Sequence, residues 1–126
     1  MEKRDTTIKG TGRVGEDIAA GFLVKNGYRI SERNYRCPIG EIDIVARDKN
    51  DLVFVEVKTR RSADLGYPEQ AVGIKKQKKI SKLALWYLQE KRLNGVRTRF
   101  DVVAVMMQPS GNDIRLIKNA FDFVSF

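Results

Sequence analysis

The feature that most constrains the fold is the segment EIDIVARDKNDLVFVEVKTR, residues 41–60, in which two apolar runs flank the turn sequence DKND. Runs rich in Val and Ile, bounded by Asp and Asn, predict two strands of an antiparallel hairpin. A two-residue loop and a four-residue loop centred on DKND give the same register, with Asp43 opposite Glu56. In the same register Glu41 lies opposite Lys58. The hairpin therefore places charged residues inside the most apolar segment of the chain.

One face of this hairpin is predicted to be entirely apolar and to belong to the core. It is formed by Ile42, Ile44, Ala46, Val53, Val55 and Val57. The other face carries Asp43, Glu56 and Lys58 beside the apolar pair Val45 and Phe54, because alternate residues of a strand share a face. The charged side chains are thus expected to emerge beside partly buried surface.

Two carboxylates that face each other across a hairpin repel unless a cation lies between them. Mg²⁺ is held well by one or two carboxylates together with substrate phosphate. The Lys58 ammonium, on the same face, can position a water or balance charge that develops on a phosphate. A solvated hairpin face with a cross-strand salt bridge between Glu41 and Lys58 explains the spacing equally well, so both interpretations stay open at this point.

The composition restricts the available chemistry. The 126 residues include no histidine and one cysteine, which excludes Ser-His-Asp and Cys-His systems, HExxH zinc sites, CxxC metal sites and internal disulfides. The length predicts one domain over residues 1–126, with residues 1–10 poorly ordered. No apolar run approaches the ~18 residues of a membrane span, and the first residues lack a signal-peptide pattern. The protein is expected to be cytoplasmic and to have no membrane partner.

The hydrophobic pattern predicts the element order αβββαββ. It indicates a helix from about Arg13 to Asn26, a strand over YRISERNYR, the hairpin, a long helix within Glu69–Arg92, and strands over TRFDVVAVMM and IRLIKNAF. Three adjacent strands between helices are typical of an α/β domain with a mixed sheet covered by helices. The segment GTGRVG spells the dinucleotide-binding pattern, but no strand precedes it and no parallel βαβ unit follows at once. A loop leading into the first helix is therefore the favoured interpretation.

The charge predicts a polyanionic partner. Lys and Arg outnumber Asp and Glu to give a net charge of +8, which favours nucleic acid or an anionic surface. The second helix opens with KKQKK and has no interleaved acid up to Lys82, and such a row of lysines can follow a phosphate backbone. A solvated helix face is the alternative. The candidate nucleic-acid-binding residues are Arg60, Arg61, Lys75, Lys78, Lys79 and Lys82.

The order of the charged residues resembles a known group of nucleases. Asp43, followed on the next strand by Glu56-Val57-Lys58, resembles the PD-(D/E)xK nuclease superfamily, and Glu16 is similar to an extra acid on the first helix of archaeal Holliday-junction resolvases. The segments GEDIAAGFLVKNGYRISERNYRCPIGEIDIVARD, LVFVEVKTR, RFDVVAV and KNAF resemble the YraN-like family, a small bacterial family assigned an endonuclease-like fold. This resemblance runs from about Gly12 to Phe121.

The resemblance implies a restriction-endonuclease-like fold and a catalytic set of Asp43, Glu56, Lys58 and Glu16. In that set Asp43, Glu56 and Glu16 hold Mg²⁺ or Mn²⁺, and Lys58 assists the attacking water. The implied function is metal-dependent phosphodiester hydrolysis of nucleic acid, DNA rather than RNA, by an endonuclease. A homodimer is expected if the substrate is a DNA junction.

Three alternatives accompany that implication, and one of them is a structural or protein-interaction domain whose charges serve solubility. Because the superfamily contains members used for binding, the chain is otherwise a nucleic-acid-binding module with a vestigial nuclease site. For Glu16, the alternative is an acid in the first turn of a helix, where the helix dipole favours negative charge.

Overall fold

The computed structural model describes residues 8–61 and 72–124, and within them seven elements follow the predicted order. They are α1 (Ile8–Lys25), β1 (Arg29–Cys37), β2 (Gly40–Asp48), β3 (Asp51–Arg60), α2 (Ile74–Glu90), β4 (Thr98–Gln108) and β5 (Gly111–Phe121). The strands form one sheet in the order β1-β2-β3-β4-β5, in which β3 and β4 run parallel and the other neighbours antiparallel. The predicted α/β class, with a mixed sheet flanked by helices, is confirmed.

Each face of the sheet carries its own hydrophobic core. On the α1 side Ala19 and Leu23 pack with Ile44, Ala46, Val53, Val55, Val103 and Val105. On the α2 side Ile80, Leu83 and Tyr87 pack with Val45, Phe54, Phe100 and Val102. Because successive side chains of a strand point to opposite faces, the continuous apolar run of β3 supplies both cores. Strands buried on both faces therefore hold the centre of the domain.

The hairpin register is confirmed from the turn to the middle of the strands, where Ile44 pairs with Val55. The prediction for Ile42 was wrong, because this side chain packs in the α2-side core and not beside Ile44. On the neighbouring strand β1, Asn34 precedes Tyr35, the pairing partner of Ile42, and has a positive φ of 53°. This irregular backbone, together with the end of β2–β3 pairing, interrupts the simple alternation of faces.

Helix α1 begins earlier than the predicted Arg13. The glycines of GTGRVG lie inside the helix, so the loop expected there is absent. Gly15 lies directly against Thr59 of β3, since a Cβ atom at this position would lie 2.1 Å from Thr59 Oγ1 and 2.9 Å from Thr59 Cβ. A glycine therefore lets α1 lie directly on β3 and places the next residue, Glu16, beside the sheet.

A buried polar network lies at the end of the sheet nearest the hairpin turn. Asp101 on β4 is 1% exposed and accepts hydrogen bonds from Tyr28 Oη at 2.7 Å and from Arg99 Nε at 2.9 Å. The Arg99 guanidinium also contacts Asp48 at 2.8 Å and Asp51 at 2.9 Å. The network joins the hairpin turn to β4, at the opposite end of β3 from Glu56 and Lys58.

Candidate active site

The hairpin strands separate where the charged residues begin. Pairing between β2 and β3 ends at Ile44 and Val55, one step before the predicted pair of Asp43 and Glu56. Strand β2 stays paired with β1 beyond this point. Asp43 Oδ2 accepts a hydrogen bond of 2.8 Å from the backbone N–H of Val57. A side chain thus takes the place of a backbone partner and holds the Asp43 carboxylate against β3.

Three carboxylates from α1 and β2 converge beside this opening. Glu16, Glu41 and Asp43 each offer an oxygen, and these oxygens lie within 4.8 Å of one another. Asn34 Nδ2 donates to Glu16 Oε1 at 2.9 Å and to Glu41 Oε2 at 3.3 Å. Glu41 also forms an ion pair of 3.4 Å with Arg36. Sequence reasoning missed Asn34 and the grouping of Glu41 with the other acids, because both depend on where β1 places its side chains.

The position of Glu16 follows from packing and not from the helix dipole. Helix α1 begins at Ile8, so Glu16 lies beyond the first turn, which contains no acid. The macrodipole acts mainly within the first turn, so it does not account for this acid. The close contact of Gly15 with Thr59 brings the third turn of α1 against β3. Glu16 is thereby directed toward the acids of the hairpin.

Glu56 has a cationic partner that the sequence did not indicate. Lys76 Nζ on α2 lies 3.4 Å from Glu56 Oε2, and the two side chains are 54% and 18% exposed. Lys76 lies one turn before Ile80, which places it on the face of α2 that packs against the sheet. The four-residue spacing between Lys76 and the apolar Ile80 is the sequence signal that could have identified Lys76 as a sheet-facing residue. Lys58 is also close enough for its charge to act on Glu56.

Burial raises the pKa of both hairpin acids, and repulsion from neighbouring carboxylates adds to the shift. Burial, followed by the charge of Glu56, raises the pKa of Asp43 to about 7, and the Val57 N–H acts in the opposite direction. Burial also raises the pKa of Glu56, while Lys76 and Lys58 partly offset this effect. Two poorly hydrated carboxylates at one place are unfavourable unless a proton or a cation balances them.

The donor set suits a hard divalent cation. Mg²⁺ binds oxygen at about 2.1 Å in octahedral geometry, so two oxygens on one ion lie about 3.0 Å apart when adjacent and about 4.2 Å apart when opposite. The oxygens of Glu16, Glu41 and Asp43 lie within 4.8 Å of one another, so side-chain movements are enough to bring them to these spacings. Glu56 approaches the same region from β3, and its charge acts on Asp43.

The basic candidates divide into two groups. Lys75, Lys78, Lys79 and Lys82 are all exposed on α2 and form the lysine row. Arg60 ends β3, on the strand of Glu56 and Lys58. Arg61 lines a cavity of about 440 Å³ with Met107, Gln108 and Pro109. Because Met107 packs against the α1-side core, Arg61 lies away from the lysine row.

The fold and the acids together define a class: an α/β domain with one mixed sheet between two helices and a carboxylate cluster where a hairpin opens. Within the described residues, no helix has the length and apolar character needed to cross a membrane. The chain belongs to the uncharacterised protein family UPF0102, whose model matches residues 15–105, and this confirms the resemblance to the YraN-like family.

Individual relatives match nearly the whole chain. The UPF0102 protein of Syntrophus aciditrophicus is 58% identical over 112 residues, which cover 89% of this chain and 88% of that protein. The UPF0102 protein of Caldicellulosiruptor saccharolyticus is 47% identical over 123 residues, which cover 96% of this chain and all of that protein (100%). Among solved structures, Pyrococcus furiosus SfsA in complex with Ca²⁺ is similar with a TM-score of 0.41 and 16% identity, over 90% of this chain and 64% of that one. A TM-score of this size establishes neither a shared fold nor a shared function.

Proposed function

We propose that the chain is a divalent-metal-dependent phosphodiester hydrolase that acts on nucleic acid, with DNA as the preferred substrate. The observation that supports this most is the close approach of Glu16 of α1 to Asp43 of β2, with Glu56 of β3 near enough for its charge to act on Asp43. These acids would hold Mg²⁺ or Mn²⁺, with Glu41 as a further oxygen donor. When bound, the metal supplies Lewis acidity toward a phosphoryl oxygen.

The residues of the chain have distinct roles in this proposal. The Val57 N–H and the Asn34 amide hold Asp43 and Glu16 in place before any ligand arrives. Lys58, two residues after Glu56 on the same strand, would donate a hydrogen bond to the attacking water or to a phosphoryl oxygen. Preorganised donors of this kind are effective because they need little rearrangement during the reaction.

The decisive experiment is cleavage of a panel of labelled nucleic acids. Single strands, duplexes, flaps and four-way junctions of DNA, with RNA counterparts, are incubated with Mg²⁺, Mn²⁺ or a chelator. We expect metal-dependent cleavage of at least one DNA form, and a loss of about 10²-fold or more in Lys58→Ala. Lys25→Ala, an exposed lysine at the end of α1, is the matched control. Cleavage that survives the chelator, or that is equal in both variants, would contradict the proposal.

The ion pair between Glu56 and Lys76 favours a second candidate function. One of the hairpin acids already has a cation from the chain itself, as expected of a nucleic-acid-binding module with a vestigial site. That module would bind members of the panel and cleave none of them, with or without metal.

The lysine row gives a separate prediction about substrate binding. Replacing Lys75, Lys78 and Lys82 with alanine should weaken DNA binding across sequences. It should also reduce the magnitude of the slope of log affinity against log salt concentration by about 2 to 3, since each lost phosphate contact reduces it by roughly one. Fluorescence anisotropy over a range of salt concentrations measures both quantities.

The control for this prediction has the same change in charge on the other side of the sheet. It replaces Arg13, Lys25 and Arg29, all exposed on or beside α1, with alanine. Equal effects of the two triple variants would show that net charge, and not the lysine row, governs binding.

A further inference from the structure

Lys76 occupies a position that the helix itself disfavours. It lies in the first turn of α2, where the partial positive charge of the helix terminus repels a cation. That turn contains no acid, and the N-cap residue Gly73 makes no side-chain capping hydrogen bond. The charge that balances Lys76 comes from another element, namely Glu56 on β3 at 3.4 Å. A local rule broken at the edge of an acidic site is expected where a residue has a function.

The backbone of this turn is held firmly while the lysine side chain is not. Gln77 Nε2 donates a hydrogen bond of 2.6 Å to the carbonyl of Val72, which is buried in the α2-side core. Lys76 lies on the sheet-facing side of α2, one turn before Ile80, yet its side chain is 54% exposed. The ammonium can therefore leave Glu56 for solvent without any movement of the helix.

We propose that Lys76 is the resident counter-ion of Glu56 and that a divalent cation replaces it when the site fills. This inference rests on the proposed function, because it requires a divalent cation at the hairpin acids. A half-exposed ion pair is weak, so it can be exchanged, whereas a poorly hydrated carboxylate without any cation is costly. Lys76 competes with the metal and so raises the metal concentration at which the site is filled.

The test compares Lys76→Met with Lys25→Met. Methionine keeps the aliphatic length of lysine, and Lys25 is an exposed lysine at the end of α1, outside the lysine row. Thermal unfolding with a chelator and across a Mn²⁺ titration, with calorimetric titration of Mn²⁺, gives the metal-free midpoint and the metal affinity. We expect Lys76→Met to bind Mn²⁺ about threefold to tenfold more tightly than the wild type, because a competing positive charge has been removed. Lys25→Met should match the wild type.

The outcomes separate this inference from the proposed function. If the wild type binds Mn²⁺ and both variants bind it with the same affinity, Lys76 is not a competitor, and the proposed function stands. If none of the three proteins binds Mn²⁺ at millimolar concentration, both the inference and the proposed function are wrong. Lys76→Gln, which keeps a polar side chain, gives the same comparison if Lys76→Met does not fold.

Discussion

Replacing Arg99 with alanine is expected to lower the free energy of unfolding by about 3–5 kcal/mol, the range for removing one partner of a buried ion pair. Arg99 Nε and Nη2 each donate 2.9 Å hydrogen bonds to Asp101, which is 1% exposed. Asp48 and Asp51 also lose a partner. Urea unfolding followed by circular dichroism at pH 7 measures the loss.

Arg97→Ala is the control for this prediction. Arg97 also contacts Asp51, but its side chain is 77% exposed, so its removal should cost at most about 1 kcal/mol. If both variants lose the same amount of unfolding free energy, burial of the ion pair is not what makes Arg99 important.

Hydrogen bonding to Arg99 holds the pKa of Asp48 below its usual 3.8. This stabilisation is present above that pH and is lost as the pH falls through the lowered pKa, so the gap between wild type and Arg99→Ala should narrow in acid.

Replacing Asp43 with asparagine should act on stability and on metal binding in opposite directions. The pKa of Asp43 is raised from 3.8 to about 7 in the folded protein. As the pH rises, the unfolded chain loses this proton first, so the metal-free wild type loses stability between about pH 4 and pH 7. Asparagine cannot ionise, so the metal-free variant should be more stable than the wild type above pH 7, by up to about 4 kcal/mol, and equal to it near pH 4.

The same variant removes a ligand that the proposed function requires. Mn²⁺ should raise the unfolding midpoint of the wild type by mass action and raise that of Asp43→Asn much less. Metal-dependent cleavage should fall by about 10²-fold or more. Asp17→Asn, with the same change in charge at an exposed acid of α1, is the control and should respond to metal as the wild type does. Equal metal responses in Asp43→Asn and the wild type would exclude Asp43 as an important ligand.

The sequence by itself determined the order of the elements and the hairpin register near the turn. Both depend on local information: a period of two along each strand, and a turn sequence whose loop lengths agree on one register. Asp43, Glu56 and Lys58 could be chosen as a candidate set for the same reason. Glu16 entered only through the resemblance to archaeal Holliday-junction resolvases, because nothing local distinguishes it from an ordinary helix acid.

Only the tertiary structure decided how the charged residues meet. The orientation of α2 on the sheet brings Lys76 to Glu56. The contact of Gly15 with Thr59 brings Glu16 to the hairpin. Ile42 was assigned to the wrong core because β2 leaves β3 at Asp43, and a strict alternation does not reveal such a departure. These placements arise from packing between segments that are far apart in the chain. Local sequence patterns do not contain the energies of such long-range contacts, so they could not predict them.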